Sequence, residues 1–323
     1  MPNSSIHIPF DPEKGTVVAE PVGSGPGYWA GAPGAFYDAE TGDTYLYYRI
    51  RRPRNVEPER GGECQILKSN DGIHFDPIWS AVKSQFQSDS MERAALTRGA
   101  DGVWRLFISY VDPTSKKWRV DRMEADGPEA FDPATAECIF NPDDLGLEGV
   151  KDPYLFHHNG VSHMILSYAS RTADVPASAQ DLHATADAYN TGLVISRTGL
   201  AVSANGRDYE WKGDLFSPST TGWDSWCRWI CCVVPGPHGL TAYYDGAADV
   251  SENYEERTGI ATGGDMRSLA SQTPDGPCLT SPHASGSLRY MDAVTYDDRI
   301  HYYYELARPD GAHETRVSVV SKG

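Results

Sequence analysis

The sequence predicts an all-β protein built as a five-bladed β-propeller, and three observations carry that reading. Strands ending in paired aromatics or a Ser-Tyr recur along the chain: YLYYRI from Tyr45, WRLFISYV from Trp104, HMILSYAS from His163, LTAYYDGA from Leu240 and IHYYYELA from Ile300. Their starts are 59, 59, 77 and 60 residues apart, so five units fill a chain of 323 residues. Each of these strands follows another apolar run and a Gly, Asn or Asp turn, which is the signature of an antiparallel hairpin. Small antiparallel meanders repeated at this period arrange around an axis, whereas a solenoid has a shorter, more uniform repeat.

The units read in order. The first pairs APGAFYDAETGD with YLYYRI and adds ECQILKSNDGIHFD as a third strand. The second runs ERAALTRGADG, WRLFISYV and WRVDRMEADGPEAFD; the third runs DPYLFHHNG, HMILSYAS and GLVISRTGLAVSANGRDYEW. The fourth is ICCVVPGPHG, LTAYYDGA and RTGIATGGDMRSL, and the fifth is DAVTYDDR with IHYYYELA. SSIHIPF near the start is expected to supply a strand that closes the ring with the last unit. The extra length of the third unit is RTADVPASAQDLHATADAYN, residues 171–190. Its Ala and Asp content suits a short helix or a loop, and its position after a second strand suits either a cover over a pocket or packing on a neighbouring blade or subunit. No linker or composition shift divides the chain, which reads as a single domain over 1–323.

Composition narrows the partners. A formal net charge of −17 disfavours nucleic acid and anionic membranes, because phosphate contacts need clustered Lys and Arg. No apolar run approaches the roughly 20 residues needed to cross a bilayer, and MPNSSIHIPF lacks the regions of a secretion signal, so a cytoplasmic location is expected. Oligomeric state is left open. The six cysteines, Cys64, Cys138, Cys227, Cys231, Cys232 and Cys278, are irregularly spaced and read as buried free thiols. His157 and His158 fall in a turn and the other histidines are scattered, so no metal site is expected. There is no phosphate-binding Gly-Lys-Ser loop, no dinucleotide fingerprint and no Gly-x-Ser-x-Gly elbow, and chemistry without a cofactor is the simplest expectation.

Topology alone points to one face. The first strand of each unit lines the axis, and the start of a first strand lies at the same end as the finish of the antiparallel second strand. That end collects Glu92 and Arg93, Lys151 and Asp152, Asp224 and Arg228, and Arg289, Tyr290 and Asp292 from the first strands. The second strands add Arg49, Arg51, Tyr110, Asp112, Asp245 and Glu305. Charged groups are not buried without partners, so their convergence predicts a funnel that binds something polar. Trp29, Trp223 and Trp226 offer either a stacking platform or packing between blades.

The stretch GVKDPYLFHHNGVSHMILSYAS resembles the Asp-Pro blade motif of five-bladed propeller glycosidases, the group that contains glycoside hydrolase families 43, 32 and 130. LKSNDGIHFDPI is similar to the Ser-x-Asp-Gly-x-x-Phe/Trp element of that group, and YLYYRIRR resembles the Tyr-Arg strand end of the family 130 mannoside phosphorylases and mannosidases. The chain also departs from each family. WAGAPGAFY has no carboxylate where family 43 places its base Asp, SWCRWICC stands where that family has Glu-Gly-Pro, and Met-Glu-Arg-Ala stands where family 130 has Asp-Pro-Arg.

The resemblance implies a glycoside hydrolase acting on a small carbohydrate, with Asp152 as proton donor or as the group that tunes it. Glu92 begins the corresponding strand of the second unit and is the best second carboxylate, since glycosidic hydrolysis commonly uses an acid with a base or nucleophile. Its structural alternative is an ion pair with Arg93 or Arg98. Asp292 is a third candidate, able to activate water across the funnel or to support its strand. Lys151 would lower the pKa of Asp152 if they met, but neighbours on a strand point to opposite faces. Arg49, Arg93, Lys151, Arg228, Asp245, Arg289, Tyr290 and Trp29 are the expected substrate-binding residues. Alternatives are a glycoside phosphorylase or transglycosidase, a non-catalytic sugar-binding propeller, and a propeller recruited to cyclase or isomerase chemistry.

Overall fold

The computed structural model describes residues 10–172 and 182–322, and these form an all-β chain with one four-residue α-helix, Pro142–Leu145, and a few short turns of 3-10 helix. Strand β1 (Thr16–Ala19) comes first. The run β2 (Trp29–Asp38), β3 (Asp43–Arg52), β4 (Arg60–Ser69) and β5 (Asp76–Val82) follows, then β6 (Met91–Arg98), β7 (Trp104–Val111), β8 (Trp118–Ala125) and β9 (Glu137–Phe140). Next are β10 (Gly149–His158), β11 (Val161–Arg171), β12 (Val194–Ser203) and β13 (Glu210–Phe216). The chain ends with β14 (Cys227–Gly236), β15 (Gly239–Ala247), β16 (Arg257–Gly263), β17 (Ala270–Ser271), β18 (Leu288–Thr295), β19 (Arg299–Ala307) and β20 (His313–Ser321).

Within β2–β5, β6–β9, β10–β13, β14–β17 and β18–β20 every strand pairs antiparallel with the next, and β1 joins the outer edge of β20. The strands thus form antiparallel meanders, two pairs of which are joined by single parallel bridges, Trp29 to His313 and Ser196 to Cys227. The first strands β2, β6, β10, β14 and β18 lie against one another in that order, and β18 lies against β2. SSIHIPF, expected to close the last meander, lies outside the described residues except for Phe10. The strand that pairs with β20 is β1, and Phe10 packs on Tyr302 and Tyr304 with ring centroids 5.2 Å away.

Burial follows position in the meander. Every residue of β7 is buried, so its sequence is nearly continuously apolar, whereas β5 and β13, at the outer edge, are mostly exposed or half-buried. Two glycines permit close approach between meanders. A Cβ on Gly34 would lie 2.1 Å from the Ala94 carbonyl oxygen, and one on Gly61 would lie 1.8 Å from that of Met91. The Ser-x-Asp-Gly element is a self-satisfied turn. Ser69 Oγ accepts from the N–H of Asp71 and Gly72, and Asp71 Oδ1 accepts from those of Ile73 and His74. Ser203 and Asn205 repeat the arrangement in the third meander.

All six cysteines are free thiols, but only Cys64, Cys227, Cys231 and Cys232 are buried; Cys278 is half-buried and Cys138 is exposed, because β9 lies at a meander's outer edge. No helix among the described residues is long and apolar enough to cross a membrane.

Candidate active site

Every first strand breaks register near its middle, between Gly31 and Gly34, Met91 and Ala94, Lys151 and Tyr154, Ile230 and Cys232, and Arg289 and Asp292. These are β-bulges, and an extra residue re-aims the side chains beside it. Three of them carry a left-handed residue: Ala32 (φ 53°), Asp152 (φ 57°) and Tyr290 (φ 54°). Such a conformation is unfavourable for a residue with a Cβ and needs support. A side chain of the preceding meander provides it each time. The N–H of Asp152 donates to Ser109 Oγ (2.8 Å), that of Tyr290 to Asp245 Oδ2 (2.7 Å) and that of Ala32 to Glu305 Oε2 (2.9 Å). Ala32 and Asp152 occupy matching places, each followed by proline, and Glu92 holds that place in the second meander.

The bulge brings Lys151 and Asp152 together, contrary to the expectation from plain strand geometry. Lys151 Nζ lies 3.1 Å from Asp152 Oδ2 and 3.9 Å from Glu92 Oε2. The shared ammonium therefore holds the two carboxylates within about 7 Å of each other, close enough to flank one glycosidic bond. Glu92 is also paired to Arg49 at 2.7 Å, and not to Arg93 or Arg98. Asp152 is 1% exposed, and neither carboxylate oxygen has a hydrogen-bond partner meeting full geometry. Burial raises its pKa to about 6, against the pull of Lys151 and with the push of Glu92. Lys151 stays firmly protonated: burial opposes its charge, but Asp152 and Glu92 favour it, and the rings of Trp118 and Tyr189 face it at 5.3 and 4.8 Å.

A buried ion network surrounds this pair. Glu305 receives Arg289, Arg49 and His313 Nδ1, the last at 2.7 Å, while Arg289 also reaches Glu256 at 2.8 Å and His313 Nε2 reaches Glu255 at 3.1 Å. Burial would raise the pKa of Glu305, yet Arg289 and His313 hold it well below the usual range. Trp29 stacks on His313 with centroids 4.7 Å apart. Arg49, Arg289, Lys151, Tyr290 and Trp29 thus gather around Glu92 and Asp152.

Four other sequence candidates lie elsewhere. Asp292 pairs with Arg93 at 2.9 Å and accepts from the Ala35 N–H, and it lines a cavity of about 430 Å³ toward the other end of the axis, with Tyr154, His157 and Asn205. Arg93 also donates to the carbonyl of Cys231, which makes it a brace between meanders. Arg228 is held by Asp224, Ser217 and Ser219 beneath the ring of Phe216, where it secures the loop before β14. Asp245 is fully buried under the bulge of Tyr290, and burial pushes its pKa far up.

The site's cover is not apparent from the strand pattern. Tyr189, at the end of residues 182–190, and Tyr254, before β16, line a cavity of only about 10 Å³ with Lys151, Asn253, Glu256 and Tyr290. That is room for about one water. Asp187 fastens the cover: it bonds Tyr254 Oη, receives Trp118 Nε1 at 3.5 Å and lies 3.6 Å from Arg60, whose guanidinium also donates to the carbonyls of Thr185 and Ala186. Leu182, Ala186, Ala188 and Tyr189 pack with Val111, Trp118 and Ala169. The unpartnered Tyr189 Oη, Trp226 Nε1 and Asn253 Nδ2 mark this space as polar. Tyr189 falls in the insertion noticed in the sequence; no signal there pointed to Tyr254 or His313. Residues 173–181 of that insertion lie outside the described residues.

The fold is that of propeller-type glycoside hydrolases and phosphorylases. A β-1,2-mannobiose phosphorylase from Listeria innocua, solved with β-1,2-mannobiose, is similar with a TM-score of 0.58 at 16% identity over 93% of this chain and 92% of that one. An endo-arabinase from Bacteroides thetaiotaomicron gives 0.61 at 14% identity over 96% and 98%, and a glycosyl hydrolase from Bacteroides ovatus gives 0.60 at 14% over 94% and 93%. No protein-family model and no curated protein sequence matches the chain.

Proposed function

We propose that this protein is a five-bladed β-propeller glycoside hydrolase that acts on a small oligosaccharide or glycoside. The observation that carries the reading is the buried Asp152–Lys151–Glu92 bridge beside a polar cavity on the axis. The ring order of contacts among β2, β6, β10, β14 and β18 supports closure into five blades. Asp152, with a pKa of about 6, hands its proton to the leaving glycosidic oxygen, and Lys151 steadies the carboxylate that remains. Glu92, fixed by Arg49 and Lys151, serves the anomeric side, stabilising positive charge on the ring and directing water or forming the bond itself. The cavity is too small for a sugar, so Tyr189 and Tyr254 move aside to admit one. This cover favours action at chain ends over cleavage within polymers.

The test is a panel of aryl and alkyl glycosides and disaccharides, assayed with and without inorganic phosphate. Asp152→Asn and Glu92→Gln are each expected to lower kcat by about a hundredfold or more. The loss in Asp152→Asn is expected to be smaller for 4-nitrophenyl leaving groups, which need little protonation. Unchanged turnover in both variants would remove the assignment. Turnover that requires phosphate and yields a sugar 1-phosphate would replace hydrolysis by phosphorolysis at the same carboxylates.

A further inference from the structure

Arg51 is an exception among the cations of this face. Arg49, Arg289 and Lys151 all face carboxylates, whereas among the described residues the Arg51 side chain has neither a hydrogen bond nor an ion pair. Its contacts are two aromatic faces, Trp29 at 4.1 Å and Tyr254 at 5.0 Å. Residues i and i+2 share a face of a strand, so Arg51 stands above Arg49 on β3, roughly 7 Å nearer the rim. Arg49 and Arg289 also face the Trp29 ring, at 5.8 and 4.9 Å, which places three guanidiniums around one indole. Two of these charges are answered by Glu92, Glu305 and Glu256; the third is not. Burial and the nearby Arg49 draw the Arg51 pKa down to about 10, which leaves it a cation at neutral pH.

Two donors close to Arg51 are unsatisfied. Trp29 Nε1 is buried without a partner on the residue that Arg51 covers, and Asn253 Nδ2 is unpartnered beside Tyr254. The Arg51 side chain is half-buried at the rim and left without a carboxylate, although a formal charge of −17 supplies no shortage of carboxylates that could have paired it. With its faces against rings, the guanidinium presents its N–H edge, which matches the two oxygens of an oxyanion. The geometry points to an anion-reading position at the rim of the sugar site: we propose that the glycoside itself carries a carboxylate, as a uronic acid does, and that Arg51 recognises it. This rests on the reading of the site as a glycoside site. A free phosphate offers the same oxyanion chemistry, and binding distinguishes the two.

Isothermal titration of the full chain carrying Asp152→Asn, which suppresses turnover, with glucuronate, galacturonate, glucose, galactose and inorganic phosphate tests the proposal. Expected is binding of at least one uronate about tenfold tighter than its neutral parent sugar. Adding Arg51→Gln should abolish that margin without weakening the neutral sugar, and Arg51→Lys should keep part of it. Equal affinity for acid and neutral sugars, an equal loss for both in Arg51→Gln, or no uronate binding overturns the proposal. So does Arg51-dependent phosphate binding that exceeds that of either uronate. The measurement is independent of catalysis. A native chain that hydrolyses no glycoside yet shows the Arg51-dependent margin would refute the hydrolase reading and leave the anion position standing.

Discussion

At Asp152 the backbone leaves the strand conformation, and that torsion turns a carboxylate toward the Lys151 ammonium instead of the opposite face. The Lys-Asp-Pro motif was legible in the sequence; the meeting of the two side chains was not, because alternation along a strand assumes an unbroken ladder. The raised pKa has two consequences. If Asp152 is the proton donor, kcat should fall as pH rises through about 6, and this limb should vanish in Asp152→Asn, as read from a pH–rate profile. The sign for stability follows from proton linkage. A folded pKa of about 6 lies above the unfolded value, so the contribution is complete below the unfolded pKa of roughly 4 and is lost as pH rises through about 6. Urea unfolding from pH 4 to 7 should show Asp152→Asn gaining on the native protein by more than about 1 kcal/mol over that window. A difference that is constant with pH would mean that Asp152 is not buried as an acid.

Among elements, the strands were the most legible part, since hairpin signals and apolar runs are local. The second strands begin close to where the aromatic pairs placed them, as β7 at Trp104 and β15 at Gly239 show. The insertion was visible only as extra length. Its described part, residues 182–190, is anchored by Asp187 to Arg60, Trp118 and Tyr254, contacts that join distant stretches of chain and leave no local pattern. Asp187→Asn keeps the shape and removes the charge. It should raise KM severalfold while leaving kcat nearly unchanged, with a fall of a few degrees in Tm. A lower Tm with an unchanged KM would make the segment structural alone. Replacing the whole insertion by a short turn is a poorer test, because it would also uncover Trp118 and Ala169.

In the whole molecule, the end of the chain is secured by its beginning. β1 pairs with β20, Phe10 packs on Tyr302 and Tyr304, and Tyr304 Oη donates to the Pro12 carbonyl. Deleting residues 1–19 should leave the edge of β20 unpaired and lower Tm by more than about 5 °C in thermal unfolding. An unchanged Tm would show that this pairing contributes nothing to cohesion. What the sequence by itself determined is the all-β class, the order of hairpins and the end of the strands at which charge collects, because strand period, turn residues and antiparallel connection are properties of short segments. Which of those charges meet was decided by the tertiary structure. Glu92, Lys151 and Asp152 come together with Arg49, while Asp292 and Arg93 pair toward the far end and Arg228 turns to its own loop. A one-residue bulge reverses a side chain's direction, and Glu92, which shares the Lys151 ammonium with Asp152, comes from a meander about 60 residues away in sequence.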